Sequence, residues 1–507
     1  MSDSAPLKRL VVVGGGSAGW MVAAALSRLL SGSAVSVTLV ESDAIGTVGV
    51  GEATIPDMTL FNQMLGIDER EFMAATDATF KLGIEFVDWG RKGEAYFHPF
   101  GEHGVDMQGI DFHQYWLAAH KRGAGEPIER YSMSAVAAYA GKFAHPSPDP
   151  KNPRSHIRYA YHFDATAYAA FLRQYAERLG AVRVEGRVVD VTQDGERGHV
   201  TAITLEDGQS IAGDFFFDCT GFRALLMRGA LDTGFRDWTH WLPCDTAQTV
   251  ACTHNGPPPP YTRATARDAG WQWRIPTQKR TGNGHIYSSA HTSHEAARDV
   301  LVNSLDGEAL GEPRTIRFQT GCLEEFWRGN VVGIGLSSGF LEPLESTSLY
   351  LIQAGITKFI SLFPDSSIPA VSRDEYNRQM RREFEQVRDF IILHYHATQR
   401  DDTPFWRDCA AMDIPDSLQR KIALFEEAGR VFRDDDELFT RVSWVAVMVG
   451  QNRVPRRVDP VVGLVPAEQV TRSLASMRDG MRRAVDTLPD HTTYLARYTQ
   501  EHVRHVA

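Results

Sequence analysis

The 507 residues carry 64 Asp and Glu against 53 Lys and Arg, a formal net charge of −11, and 43% of them are hydrophobic. Such a chain can bury the cores of two or three domains, or of one large enzyme with a smaller lobe, which excludes wholesale disorder. No basic run offers a face to a polyanion, so nucleic acid is not an expected partner; Arg381-Arg382 and Arg456-Arg457 read as solvated pairs.

From the N-terminus, an apolar strand over 10–13, a glycine turn, a helix over 20–30 and a second strand over 35–40 make a βαβ opening. Lys8-Arg9 ahead of this stretch could suggest a signal peptide, but the glycines interrupt it. No segment approaches the roughly 20 apolar residues of a membrane span. The expectation is a soluble, cytoplasmic protein. The turn itself, Gly14-Gly15-Gly16-Ser17-Ala18-Gly19, holds GxGxxG in Gly14, Gly16 and Gly19. Such glycines let backbone amides approach a pyrophosphate at a helix start, and Glu41 ends the next strand where a carboxylate would bind ribose hydroxyls. A glycine turn without a ligand is the plainer alternative, and this segment alone does not separate FAD from NAD.

Further along, Phe80, Leu82, Ile84 and Phe86 alternate on one face of a strand and Lys81 points from the other, where a lysine commonly meets water. Alternating runs at 182–191, 199–205 and 214–218 read as a sheet region returning to the nucleotide domain. A block over about 235–330 mixes strands and loops, with Pro257 to Pro260 as a stiff loop. Trp271, Trp273 and Ile275 share one strand face, which could be simply a packed core stripe. Asn330 to Gly335 leads into a loop and then a helix over 349–363. Gly333 to Gly339 has the wrong spacing for a second fingerprint.

After Leu349 the pattern is helical. Ser372 and Glu375 suggest a capping box before an amphipathic helix whose apolar residues are Tyr376, Met380, Phe384, Val387, Phe390 and Ile391. His394 and His396, two apart on that helix, face different ways and suggest no metal site. The five cysteines are scattered without a CxxC pair, which fits a reducing compartment and no structural zinc.

Three segments are distinctive: Gly49-Val50-Gly51-Glu52-Ala53-Thr54-Ile55-Pro56, Trp271-Gln272-Trp273-Arg274-Ile275-Pro276, and Phe340-Leu341-Glu342-Pro343-Leu344-Glu345-Ser346-Thr347. With the fingerprint, they resemble the flavin-dependent tryptophan halogenase family, firmly over about 8–350 and more loosely to the end. The layout also resembles glutathione-reductase-like flavoproteins. The implied fold is an α/β, FAD-binding body over 1–350 with an interleaved substrate sheet, and a mainly helical lobe over 351–507 helping to form the substrate site.

The resemblance implies halogenation by chloride or bromide of an electron-rich aromatic such as indole. Reduced flavin and oxygen form a hydroperoxide, halide attacks it to give hypohalous acid, and that oxidant reaches the catalytic Lys81. Glu345 would face Lys81 and take the ring proton; read from the sequence alone, it is a carboxylate favoured by a helix start. The resemblance places FAD against Gly14, Gly16, Ser17, Ala18, Gly19, Glu41, Gly51, Ala53, Val188, Asp218, Gly335 and Leu336. Halide would sit at Thr347 and Ser348, on backbone amides of 346–348, although many tryptophan-acting members have glycine at the position of Ser348. Trp271, Trp273, Ile275 and Pro276 would line a tunnel, and His98, Phe100 and Trp444 the substrate site. His98 could equally be structural.

Reduced FAD would come from a separate flavin reductase, and a homodimer is compatible with the reading. Tryptophan-specific members carry an aromatic and acidic set that 439–445 lacks, which argues against free tryptophan as substrate. A flavin monooxygenase and a catalytically idle flavoprotein are the rival readings.

Overall fold

The structure is a computed structural model and describes residues 5–45 and 51–506, with side chains to 499. Gly49 and Val50 of the first distinctive segment lie outside the described residues. The opening βαβ unit is present as strand Arg9–Val13, helix Ser17–Leu29 and strand Ser36–Glu41. Arg9–Val13 is apolar after its first residue because it is buried between parallel neighbours, pairing Leu10 with Phe215 on one side and Val37 on the other. The full sheet has six strands, in the order Trp327–Arg328, Val331–Gly333, Phe215–Asp218, Arg9–Val13, Ser36–Glu41, Val182–Glu185. Only Trp327–Arg328 pairs antiparallel.

A seven-stranded sheet stands beside it, built around Gly270–Pro276 and ending in Gly83–Val87 and Ala95–Pro99. Two runs that read as single strands are each divided. Residues 182–191 split at Gly186-Arg187, with Val182–Glu185 closing the nucleotide sheet and Val188–Gln193 starting a separate three-stranded one. Residues 80–86 split at Leu82. Thr79–Lys81 pairs with Ala160–Asp164 in a small sheet, while Gly83–Val87 belongs to the seven-stranded one. Period-two alternation survives such a break, so the pattern could not show it.

From Ser348 onward the described residues contain helices and connecting turns but no strand, beginning with Ser348–Ser361 and the long Ala370–His396. The six apolar residues expected on Ala370–His396 are all buried. The capping box is absent: the helix starts at Ala370, Ser372 lies inside it, and Glu375 instead accepts hydrogen bonds from Arg378 and Gln379. One continuous apolar cluster runs from Leu7 to Leu495, so the late helices share their core with the sheets. Among the described residues, no helix is long and apolar enough to cross a membrane.

Candidate active site

A cavity of about 540 Å³ opens where the parallel strands Arg9–Val13 and Ser36–Glu41 end. Each fingerprint glycine has its own steric reason. Gly14 has φ +107°, and a Cβ there would stand 2.2 Å from the Cys219 carbonyl oxygen. A Cβ on Gly19 would stand 1.8 Å from the Gly14 carbonyl oxygen, while one on Gly16 would meet nothing within 4 Å. Two glycines therefore permit close packing, and the third leaves space for a ligand at the helix start.

Gly14, Gly16, Ser17, Ala18, Glu41, Gly51, Ala53, Val188, Gly335 and Leu336 line this cavity. Arg183, on the neighbouring strand, orients Glu41 with an Nε–Oε1 bond of 2.5 Å. Gly19 stands behind the lining. Asp218 also stands apart: one carboxylate oxygen accepts from the Thr220 amide and hydroxyl, the other from the Leu226 and Met227 amides. Open glycine, helix start and strand-end carboxylate together fit a dinucleotide such as FAD.

Trp271, Trp273 and Ile275 form part of the cavity wall. Gly284 makes room for Trp273, since a Cβ there would come within 2.0 Å of the indole. The Trp271 indole N–H donates to Glu342 Oε2 at 2.8 Å, and the Tyr395 hydroxyl donates to the same oxygen at 2.6 Å. Burial pushes the Glu342 carboxyl up to about 7 against those two bonds. Pro276 is off the wall; its carbonyl accepts from the Thr79 hydroxyl, two residues before Lys81.

Lys81 is fully buried, which overturns the wet-face reading. The break at Leu82 accounts for this. The Leu82 amide donates to Pro260, its carbonyl accepts from the Phe100 amide, and the chain passes into a second sheet around the lysine. Lys81 Nζ donates to the Thr54 carbonyl at 2.9 Å and to Ser346 Oγ at 2.7 Å, and lies 4.9 Å from the Phe100 ring centroid. Burial lowers the amine to about 7, with Glu345 opposing the shift.

Glu345 ends a short 3₁₀ turn, Pro343–Glu345, and precedes rather than joins the helix Ser348–Ser361. It is 1% exposed. His98 Nδ1 stands 2.9 Å from Oε2 and His394 Nε2 2.7 Å from Oε1. Burial works against the carboxylate charge, but the two imidazoles outweigh it and hold the group at about 2. Ser346 has φ 61°, and its amide bonds to the Pro343 carbonyl, so it is not free to bind halide. Thr347 is buried off the cavity, whereas Ser348 lines it.

The geometry thus gathers Lys81, Glu345, His98 and Phe100. Trp444 lies one ring further out: Phe390 stands 5.9 Å from His98 and 5.0 Å from Trp444, centroid to centroid. The Trp444 N–H donates to Glu437 at 2.9 Å, and Lys421 covers its ring at 4.5 Å. Sequence reasoning missed His394, the Ser346 hydroxyl, the Thr54 carbonyl and Glu342 as parts of this site. The differing directions of His394 and His396 were the one usable signal, because the inward histidine needs a buried partner.

Comparison with known proteins agrees with this geometry. The tryptophan halogenase family model matches residues 9–467. Tryptophan 6-halogenase SttH from Streptomyces toxytricini is 35% identical over 520 residues, covering 96% of this chain and 98% of that protein. The solved structure of Xcc4156, a flavin-dependent halogenase from Xanthomonas campestris, superposes with a TM-score of 0.94 at 48% identity, covering 97% of this chain and 98% of the other. BrvH, a flavin-dependent halogenase from Brevundimonas sp. BAL3, has a TM-score of 0.94 at 46% identity, covering 97% and 99%.

Proposed function

The chain belongs to the tryptophan halogenase family, and on that premise we propose that it halogenates an electron-rich aromatic such as indole, with Lys81 delivering the halogen and Glu345 taking the ring proton. It is a flavin-dependent halogenase, an enzyme. The observation that carries the finer reading is a fully buried amine, lowered to about 7, near a buried carboxylate and an aromatic ring. A solvated lysine would be almost wholly protonated at neutral pH; this one keeps a large neutral fraction.

Bound FAD, once reduced and with oxygen as co-substrate, would supply the oxidant that converts chloride or bromide to hypohalous acid. Gly16, Ser17, Ala18 and Glu41 would hold its nucleotide end, and the Trp271, Trp273 and Ile275 wall would keep the aromatic away from the flavin. Lys81 either bonds hypohalous acid or takes its halogen on nitrogen, and passes the halogen to the ring. The hydroxyl of hypohalous acid leaves as water with a proton from the lysine nitrogen, and the ring proton taken by Glu345 balances the one that Lys81 gives up. A carboxylate held at about 2 is a weak base, which suffices because a halogenated arenium cation is a strong acid. Ser348, at the helix start, is the cavity-lining candidate for contact with halide.

In this reading the body over 1–350 is glutathione-reductase-like, supported by the parallel sheet and late helix, and the helices over 351–507 complete the substrate side. Reduced FAD comes from a separate reductase. The five free, buried cysteines accord with the cytoplasm. The test is an assay with reduced FAD and an aromatic panel, in chloride, bromide or no halide, read by mass spectrometry. Halide-dependent products incorporating the supplied halogen are expected; hydroxylation without halide would replace the reading with a monooxygenase.

A further inference from the structure

Behind Glu345 lies a buried polar chain that reaches neither the nucleotide cavity nor Lys81. His394 Nδ1 stands 3.0 Å from the Tyr96 hydroxyl, which stands 3.4 Å from the Gln451 side-chain nitrogen. Gln451 and His394 are 0% exposed and Tyr96 is 5% exposed. Phe86 stacks on both rings, with centroids 5.0 Å from Tyr96 and 4.6 Å from His394. These groups have little freedom to rearrange, so their proton positions follow from donor and acceptor identity.

Gln451 fixes the first proton position. Its side-chain nitrogen lies 3.0 Å from the His394 backbone carbonyl, which can only accept, so the amide NH₂ must face that way. The same nitrogen then donates to the Tyr96 oxygen. Tyr96 must point its own O–H elsewhere, and its other close partner is His394 Nδ1. That ring nitrogen is therefore an acceptor, and the proton of neutral His394 is on Nε2. Burial lowers the pKa of His394 despite the opposing effect of Glu345, which favours the neutral ring.

The opposite end gives the same answer independently. Nε2 lies 2.7 Å from Glu345 Oε1, although the N–H is bent off the line to the oxygen. A bare lone pair at that distance would face carboxylate lone pairs, which is repulsive. We propose that Tyr96, oriented by Gln451, is a positioning residue that commits His394 to its Nε2–H tautomer, so that a donor and never a lone pair faces Glu345. This inference rests on the reading of Glu345 as the group that receives the ring proton. Neither Tyr96 nor Gln451 lines the cavity.

The test is a double-mutant cycle on the full-length enzyme, with indole, bromide and reduced FAD, scoring brominated product per flavin oxidised. Tyr96→Phe keeps the ring stack and removes the hydroxyl's two hydrogen bonds, to His394 and from Gln451, for an expected loss of about tenfold. His394→Gln places a permanent amide donor towards Glu345 and has no tautomer to select. If Tyr96 acts through the tautomer, the double variant should match His394→Gln to within about twofold. ¹⁵N NMR of labelled histidine, with the His394 signal identified by its loss in His394→Gln, should show Nε2–H in the wild type and a shifted tautomer population in Tyr96→Phe.

Multiplying losses, or an unchanged tautomer in Tyr96→Phe, would overturn the inference. Should Tyr96→Phe fail to fold, Gln451→Met frees the hydroxyl direction and is judged by the same NMR criterion. Glu345→Gln separates the two levels. Bromination retained in that variant removes the Glu345 reading itself, whereas its loss together with multiplying effects removes only the role of Tyr96.

Discussion

Replacing Lys81 by Met should abolish halogenation and at the same time stabilise the fold. Burial lowers the lysine from 10.5 to about 7, so the folded state binds its proton less tightly than the unfolded chain does. The sign follows from linkage: between these two values the unfolded chain holds more protons, and stability rises with pH. Below about 7 the penalty is at its full size, roughly 5 kcal/mol as an upper bound at 1.36 kcal/mol per unit. Methionine fills similar volume and carries no charge, although it leaves the Thr54 carbonyl and Ser346 hydroxyl without their donor, at a cost of about 1–3 kcal/mol.

The net expectation near pH 7 is a gain of about 2 kcal/mol, or roughly 2 °C in a chain of this size. The better measure is the change with pH, because the lost hydrogen bonds do not titrate. From pH 7 to pH 9 the advantage of the variant should shrink by about 2 kcal/mol. Thermal or urea unfolding of both proteins across that range, with FAD binding measured alongside, provides the assay. FAD affinity should stay near wild type, since Lys81 does not line the nucleotide cavity. A stability difference that is constant with pH would refute the lowered amine; loss of FAD binding would make Lys81 structural.

Ser348→Gly should change the apparent KM for halide more than that for the aromatic, by about two- to tenfold, because it alters backbone freedom at a helix start; equal changes would place halide elsewhere. Purified enzyme alone should oxidise NADH only slowly, because among the described residues the single fingerprint cavity is assigned to FAD; stopped-flow absorbance checks this. Indole should outcompete equimolar tryptophan and react at its electron-rich pyrrole carbon. Glu437 already serves Trp444 and Lys421, so it is not free to receive a substrate ammonium, and a poorly paired buried charge costs several kcal/mol. Preferential tryptophan conversion, or clean benzenoid products by NMR, would contradict this.

Local chemistry was the legible part of the sequence. Gly14, Gly16 and Gly19 announced the nucleotide turn because steric demand acts within a few residues, and the Ala370–His396 stripe did so because burial follows helical periodicity. Lys81 and Glu345 were found through a resemblance, and their surroundings explain why spacing could not find them. The residues contacting Lys81 come from positions 54, 100 and 346, and those holding Glu345 from 98 and 394. No local pattern encodes such meetings. The break at Leu82 was invisible for a related reason: what diverts the chain is pairing with 160–164 and with 260, distant in sequence.

Ser346 carries two demands that conflict. Its backbone, at φ 61°, occupies a region that costs an L-residue about 1 kcal/mol or more and a glycine almost nothing. Its hydroxyl, meanwhile, is one of the two oxygens holding the Lys81 amine. The backbone alone favours glycine here, whereas the hydrogen bond to the buried Lys81 amine, whose loss costs about 1–3 kcal/mol, favours serine. Ser346→Gly would thus trade a relieved backbone for a buried amine with one oxygen fewer around it, gaining little stability and losing turnover.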